Sequence, residues 1–152
     1  MREALFSILG SVQEARVLDL FAGSGALAIE ALSRGAASAT LVDSSPAAIA
    51  AVRRNLDALG IEAEVRRQDA LAFLRNARTL GRDYDLVFLD PPYRLASSLG
   101  RQLAEALPPA LRTAARVVSE SDRRAPLQLT FAGAGEPQQR RYGDTLISIY
   151  DT

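Results

Sequence analysis

Short apolar segments alternate with segments of helical periodicity along most of this chain, and this alternation limits the possible folds more than any other feature. The apolar segments predict five buried strands: Arg16–Phe21, Ala39–Asp43, Ile61–Arg67, Asp85–Asp90 and Arg116–Glu120. Between them lie segments in which apolar residues recur every three to four positions, as on one face of a helix. Strands that alternate with helices are typical of a parallel sheet covered by helices on both faces.

The end of the chain breaks the alternation. Leu127–Phe131 and Thr145–Tyr150 both have strand character, and the segment between them, rich in Gly, Pro and Gln, has no helical pattern. We expect these two strands to form an antiparallel hairpin at one edge of the sheet. The prediction is an α/β fold with a mostly parallel, seven-stranded twisted sheet, formed by residues 1–152 as a single domain.

The ends of two helices can also be predicted. Ser45 is a suitable N-cap and Pro46 suits the first helical turn, while Gly60 is placed to end the same helix. Asp69 is a suitable N-cap for the helix that follows the third strand. The buried stripe of the helix that begins at Pro46 is predicted to consist of Ile49, Val52, Leu56 and Leu59.

The composition excludes several classes of protein. There is no Cys and no His, which removes disulfides, imidazole and thiolate metal sites, and Ser-His-Asp triads. The 18 basic residues, all of them Arg, balance 18 acidic residues, so bulk charge does not favour binding to naked nucleic acid. No apolar run approaches the ~20 residues of a membrane span, and no signal peptide opens the chain. We expect a cytoplasmic monomer without a bound metal.

A glycine loop, Phe21–Ala26, directly follows the first strand, and acidic residues follow the others. In a sheet of this kind, ligands bind at the carboxyl ends of the strands. Gly23 and Gly25 allow the backbone to turn sharply there, and Asp43 lies where an acidic residue would bind two ribose hydroxyls. The glycine loop thus predicts a nucleotide-like cofactor, and several carboxylates converge on the same edge.

The loop alone leaves the ligand open. The residues from Gly23 to Ala28 also fit the dinucleotide pattern G-x-G-x-x-G/A, with Asp43 at the expected distance, and an NAD-binding oxidoreductase is one alternative. Asp43 could simply end a strand. Asp19 discriminates better, because it is a carboxylate inside an otherwise apolar strand and its burial is costly. A cationic sulfonium ligand with a free amino group fits an acidic rim, whereas a pyrophosphate does not.

The tetrapeptide Asp90-Pro91-Pro92-Tyr93 ends the fourth strand and indicates the chemistry. An amino group on a nucleobase is a poor nucleophile, because its lone pair is delocalised into the ring. Oxygens that accept both amine hydrogens help to localise that pair, a proline-stiffened turn holds the oxygens still, and an aromatic ring can stack on the base. The motif therefore favours methyl transfer to an exocyclic amine of a nucleobase.

These segments together resemble one family. The stretches from Arg2 to Leu9, Leu18 to Leu27, Glu30 to Ala36 and Phe88 to Tyr93 are similar to the RsmD-type 16S rRNA guanine-N2 methyltransferases, and the resemblance extends over essentially the whole chain. It implies a Rossmann-like fold that binds S-adenosylmethionine (AdoMet), and methylation of a guanine in 16S rRNA, within the small ribosomal subunit.

The resemblance also implies roles for individual residues. Asp19, Gly23 and Gly25 would shape the methionine site, Asp43 would bind the ribose, and Asp69 with Ala70 would bind the adenine. Asp90, Pro91, Pro92 and Tyr93 would form the catalytic turn. The complete cofactor-binding set implied is Asp19, Phe21, Ala22, Gly23, Ser24, Gly25, Asp43, Ser44, Asp69, Ala70 and Asp90.

The chain departs from the family in a few places. The family usually carries a basic segment ahead of the opening helix, and we expect this segment to be absent because the chain begins at that helix. Ser7 replaces a common Asn, and Ala28 a common Gly. Besides the oxidoreductase, the alternatives are a DNA or RNA adenine or cytosine amino-methyltransferase and a non-catalytic nucleotide-binding domain.

Overall fold

A computed structural model describes residues 2–91, 96–127 and 129–152, and for residues 96–98 it describes the backbone only. Pro92 and Tyr93 of the predicted catalytic turn lie outside the described residues. The elements, in chain order, are α1 Arg2–Leu9, β1 Arg16–Asp19, α2 Ala26–Ser33, β2 Ser38–Asp43, α3 Pro46–Leu59, β3 Glu64–Arg67, α4 Ala70–Leu80, β4 Tyr84–Leu89, α5 Ala96–Ala106, a 3₁₀ helix Pro108–Ala110, β5 Leu111–Asp122, β6 Gln138–Tyr142 and β7 Thr145–Asp151.

The strands form one seven-stranded sheet with the order β3-β2-β1-β4-β5-β7-β6. The first five strands are parallel, and β7 is antiparallel to both β5 and β6. The predicted fold class is therefore confirmed. The strand order reverses between β1 and β4, so the switch point of the sheet lies where the chain leaves these two strands.

Each face of the sheet has its own core. Side chains alternate along β1, so that Val17 faces α1, α2 and α3, whereas Leu18 faces α4 and α5. The same alternation on β4 places Phe88 on the α1 face and Leu89 on the other. On the α1 face, the side chains two positions after the buried Val17, Phe88 and Val118 lie at the carboxyl edge of the sheet. This edge is the location of the candidate site.

The predicted helix boundaries agree well with the structure, apart from one exposed leucine. The Ser45 hydroxyl accepts a hydrogen bond from the Ala48 N–H at 3.2 Å, Pro46 begins α3, and Gly60 follows its end in a left-handed conformation. The prediction that Leu59 belongs to the buried stripe was wrong, because its side chain is 60% exposed in the last turn. Within the described residues, no helix has the length and apolar character needed to cross a membrane.

One strand of the C-terminal hairpin was assigned to the wrong residues. The partner of β7 is β6, Gln138–Tyr142, and the described part of Leu127–Phe131 is not a strand. The apolar pattern of this segment comes from burial instead: it contributes Leu127, Leu129 and Phe131 to the core cluster that contains Tyr150. The ring centroids of Phe131 and Tyr150 are 5.6 Å apart. Because β6 is an exposed edge strand made mostly of polar residues, it has no apolar alternation by which it could be recognised.

Candidate active site

Three carboxylates lie on the same face of three neighbouring strands at the carboxyl edge. Asp19 ends β1 and is aligned with Phe88 of β4, two residues before Asp90. Leu89 is aligned with Ser119 of β5, so the next pair in the register places Asp90 beside Glu120. Neighbouring strands are about 4.8 Å apart, so these acidic side chains share one small region. Glu120 was predicted to end a strand but was not assigned to the site.

The two edges of the sheet differ in how their carboxylates are paired. At the amino edge, Arg16 is 3.0 Å from Asp83, and Arg112 is 3.3 Å from Asp85. None of the ion pairs formed among the described residues involves Asp19, Asp90 or Glu120. Unpaired carboxylates that converge on one edge favour a ligand that is cationic or rich in hydrogen-bond donors.

Asp19 is the most deeply buried of these carboxylates, with an exposed fraction of 3%. Its burial, reinforced by the negative charge of Asp90, raises the pKa of Asp19 to about 7, although a hydrogen bond from the Phe21 backbone opposes the shift. A buried carboxyl group with this pKa gains stability from a cation placed beside it. Asp19 thus fits the free amino group or the sulfonium of AdoMet.

The glycine loop follows β1 and is held to the sheet by backbone hydrogen bonds. The Ala22 N–H donates to the Val42 carbonyl at 3.0 Å, and the Gly25 N–H donates to the Ala22 carbonyl at 2.8 Å. Gly25 has a φ of 84° and a Cβ there would lie 2.9 Å from Leu41 Cδ2, so a larger residue would be strained and would crowd the Leu41 side chain. Gly23 has a φ of 58°, and a Cβ there would meet nothing within 4 Å, which leaves open space for a ligand.

Asp43 organises this loop, a role that was not predicted. Its Oδ2 accepts from the Gly23 N–H at 3.0 Å and its Oδ1 accepts from the Ser45 N–H at 2.9 Å. A carboxylate has about four lone-pair sites, so each oxygen keeps an acceptor for a ribose hydroxyl. The backbone bonds hold the carboxylate in one orientation, and its remaining acceptor positions fit the predicted contact with the ribose hydroxyls.

The remaining members of the predicted cofactor-binding set lie around this edge. Asp69 caps α4, since its Oδ2 accepts from the Ala72 N–H at 3.1 Å. The Gln68 N–H donates to the Asp43 carbonyl at 3.0 Å, which ties the turn before Asp69 to β2. The adenine contact predicted for Asp69 and Ala70 stays a prediction. Ala22 and Ala70 are buried, Phe21 is half-buried, and Ser24 and Ser44 are exposed.

A cleft of about 310 Å³ opens beside Asp90. Pro91 and Glu120 line it together with residues of the β5–β7 turn region, Ser121, Asp122, Ala125, Asp144 and Thr145. Asp90 is exposed at this cleft, yet desolvation by the surrounding protein and the charge of Glu120 raise its pKa to about 6. Most Asp90 side chains are therefore ionised at neutral pH and can accept a hydrogen bond from a substrate amine.

We expect Asp43→Ala to weaken AdoMet binding at least about tenfold, because two charge-assisted hydrogen bonds from the ribose are lost. Two backbone N–H groups also lose their acceptor, so the glycine loop should be less ordered. Calorimetric titration of AdoMet, with NAD titrated in parallel, measures the effect. Unchanged AdoMet affinity of a folded variant would exclude this role for Asp43, and preferential binding of NAD would favour the oxidoreductase alternative.

The strand order is that of the Rossmann-like fold of AdoMet-dependent methyltransferases. In this chain, the glycine loop and the unpaired carboxylates lie at the carboxyl edge of that sheet. Within this class, the chain belongs to the family described as Conserved hypothetical protein 95, whose model matches residues 1–151. This membership confirms the family resemblance found in the sequence.

Three known proteins illustrate the similarity. The Bacillus subtilis protein named "Putative rRNA methyltransferase YlbH" is 35% identical, over 99% of this chain and 83% of that protein. Ribosomal RNA small subunit methyltransferase D of Escherichia coli K12 is 44% identical over 62% of this chain, and the matched segment spans 47% of that protein, about half its length. The solved structure titled "Putative methyltransferase yhhF from Escherichia coli" has a TM-score of 0.83 and 33% identity, and covers 99% of this chain and 82% of that one.

Proposed function

We propose that this protein is a single-domain, monomeric methyltransferase that transfers the methyl group of AdoMet to the exocyclic N2 amine of a guanine in 16S rRNA. The observation that carries the proposal is the placement of Asp19, Asp43 and Asp90 around the glycine loop at one edge of the sheet. Relatives named as rRNA methyltransferases support the substrate class. Because its substrate belongs to the small ribosomal subunit, we propose a cytoplasmic location.

Each group of residues has a defined task in this proposal. Asp19 balances the positive charge of the methionine portion, Asp43 fixes the ribose, and Gly23 leaves room for the cofactor to approach the backbone. When bound, AdoMet supplies an electrophilic methyl group. The carboxylates disfavour the alternative in which the loop binds a dinucleotide, since a pyrophosphate would be repelled by the acidic edge.

The catalytic turn positions the amine for in-line attack. The Asp90 carboxylate and the Pro91 backbone carbonyl are acceptors for the two amine hydrogens, which localises the nitrogen lone pair. The target guanine has to leave its stack for N2 to reach the methyl group. Positioning supplies most of the rate enhancement in such a displacement. From the family resemblance we assign Pro92 to the same turn and Tyr93 to stacking on the base.

The electrostatics of the cleft favour an assembled ribosomal particle over naked rRNA as the substrate. The chain has a net charge of zero, and both arginines nearest the cleft already pair with its rim: Arg123 with Asp144 at 3.3 Å, and Arg124 with Asp122 at 2.9 Å. The described lining of the cleft thus offers little unpaired positive charge to phosphates, so affinity for free RNA should be weak and sensitive to salt. A particle compensates by presenting the guanine in a fixed geometry.

We expect methyl incorporation to be at least about tenfold faster with small-subunit particles that lack the modification than with deproteinised 16S rRNA, at physiological salt. The measurement uses AdoMet with a labelled methyl group, equal concentrations of both substrates and matched buffers. Incorporation that is equally efficient with the naked RNA would contradict the preference for a particle. Incorporation into neither substrate would contradict the proposed function itself.

A further inference from the structure

Glu120 is a second carboxylate in the cleft of the catalytic turn, and the proposed mechanism leaves it without a task. It lies beside Asp90 in the β4–β5 register, on the same face of the sheet, and both residues line the 310 Å³ cleft. Its side chain is half-buried, and the residue opposite it on β7, Ile147, is apolar. No ion pair among the described residues involves Glu120, so the protein leaves its oxygens available to a ligand in the cleft.

The hydrogen-bonding edge of guanine differs from those of the other bases in its donors. Its Watson–Crick edge presents the N1–H and both N2 hydrogens, followed by the O6 acceptor. Adenine and cytosine present an unprotonated ring nitrogen next to their amino group. An ionised carboxylate accepts hydrogen bonds and donates none, so it can pair with the N1–H of guanine but is repelled by an unprotonated ring nitrogen. A second carboxylate beside the catalytic one therefore suits guanine and opposes adenine and cytosine.

We propose that Glu120 is the residue that selects guanine, by accepting the N1–H of the target base while Asp90 and the Pro91 carbonyl accept the two N2 hydrogens. This inference rests on the proposed function and assigns the substrate base to a particular side chain. Both carboxylates gain from a nearby donor, because burial and the charge of Glu120 raise the pKa of Asp90, and burial raises the pKa of Glu120. A donor-rich base edge between them relieves both costs.

The base analogue 2-aminopurine separates recognition from reactivity. It keeps the amine at C2 but has no hydrogen on N1 and no O6, so a carboxylate facing N1 meets a lone pair instead of a donor. The experiment places guanine or 2-aminopurine at the target position of 16S rRNA, after that position has been mapped, in reconstituted small-subunit particles. Values of kcat/KM are compared for the wild type, Glu120→Gln and Asp144→Asn.

Asp144→Asn is a matched control, because it removes one negative charge from the same cleft, at a rim residue whose side chain is 63% exposed and pairs with Arg123. We expect the wild type to prefer guanine at least about 100-fold. Glu120→Gln should lower kcat/KM for guanine at least about tenfold. Its preference for guanine over 2-aminopurine should also fall at least about tenfold, because the glutamine amide can donate to N1 of 2-aminopurine. Asp144→Asn should retain the preference of the wild type.

Each contrary result has a distinct meaning. A wild type that methylates both bases equally would overturn the role of Glu120 even if the variant failed to fold. A Glu120→Gln variant that binds AdoMet normally and keeps the wild-type preference would overturn it as well, as would an equal loss of preference in Asp144→Asn. A wild type that methylates no rRNA substrate would overturn the proposed function, and this inference with it.

Discussion

Asp90→Ala is expected to lower kcat about 100-fold or more while AdoMet affinity changes by no more than about threefold. The Asp90 carboxylate directly follows the end of β4, lines the cleft and is the first residue of the proposed catalytic turn. Its hydrogen bond to the amine strengthens as the nitrogen acquires positive charge, so its loss costs more in the transition state than in the ground state. Single-turnover kinetics at saturating AdoMet and calorimetric AdoMet binding measure the two effects separately.

Asp144→Asn also serves as the control for Asp90→Ala, since it removes a charge from the rim of the same cleft without touching the catalytic turn. If both variants lost activity to the same extent, the effect would come from the charge of the cleft rather than from Asp90. If Asp90→Ala lost AdoMet affinity as strongly as turnover, Asp90 would be a cofactor-binding residue only.

Asp19→Asn should stabilise the protein without ligand and impair its use of AdoMet. The pKa of Asp19 is about 7 in the folded state against 3.8 for an ordinary aspartate, so between these values the folded state holds a proton that the unfolded state releases. The contribution of Asp19 to stability therefore falls as the pH rises from about 4 to about 7 and stays low above that range. The asparagine carries no charge, so this loss is absent in the variant.

At pH 8 we expect Asp19→Asn to raise the free energy of unfolding by about 2–4 kcal/mol, an amount that follows from the size of the pKa shift. The advantage should disappear near pH 4, where both proteins are neutral at this position. AdoMet affinity should fall at least about tenfold, because the cation loses its counter-charge. Chemical denaturation at both pH values, together with calorimetry, provides the measurement. A variant that is no more stable at pH 8 and binds AdoMet normally would show that Asp19 carries no unpaired charge.

The sequence predicted the site best where local chemistry alone decides the conformation. Ser45 with Pro46 and Asp69 are helix caps whose geometry depends only on neighbouring residues, and both caps are present in the structure. The ends of β2, β3 and β4 were also predicted to within one residue, whereas β1 ends two residues earlier and β5 two residues later than predicted. The candidate site predicted from the sequence thus lies at the carboxyl edge of β1, β2 and β4.

Features that depend on the sheet register were missed for a physical reason. Glu120 lies beside Asp90 only because β5 is aligned with β4, a relation that the sequence of either strand does not contain. The two backbone amides bound by Asp43 come from two different loops and could not be read from the residue itself. The polar edge strand β6 is held by main-chain hydrogen bonds to β7, which leave no pattern in its side chains.

Identification of the methylated nucleoside tests the central claim most directly. Small-subunit particles that lack the modification are incubated with the protein and AdoMet, the rRNA is digested to nucleosides, and these are separated and identified by mass spectrometry. We expect N2-methylguanosine to accumulate to at most one residue per particle, to depend on added AdoMet and to be nearly absent with Asp90→Ala. Methylation of adenine or cytosine instead, or no new methylated nucleoside at all, would contradict it.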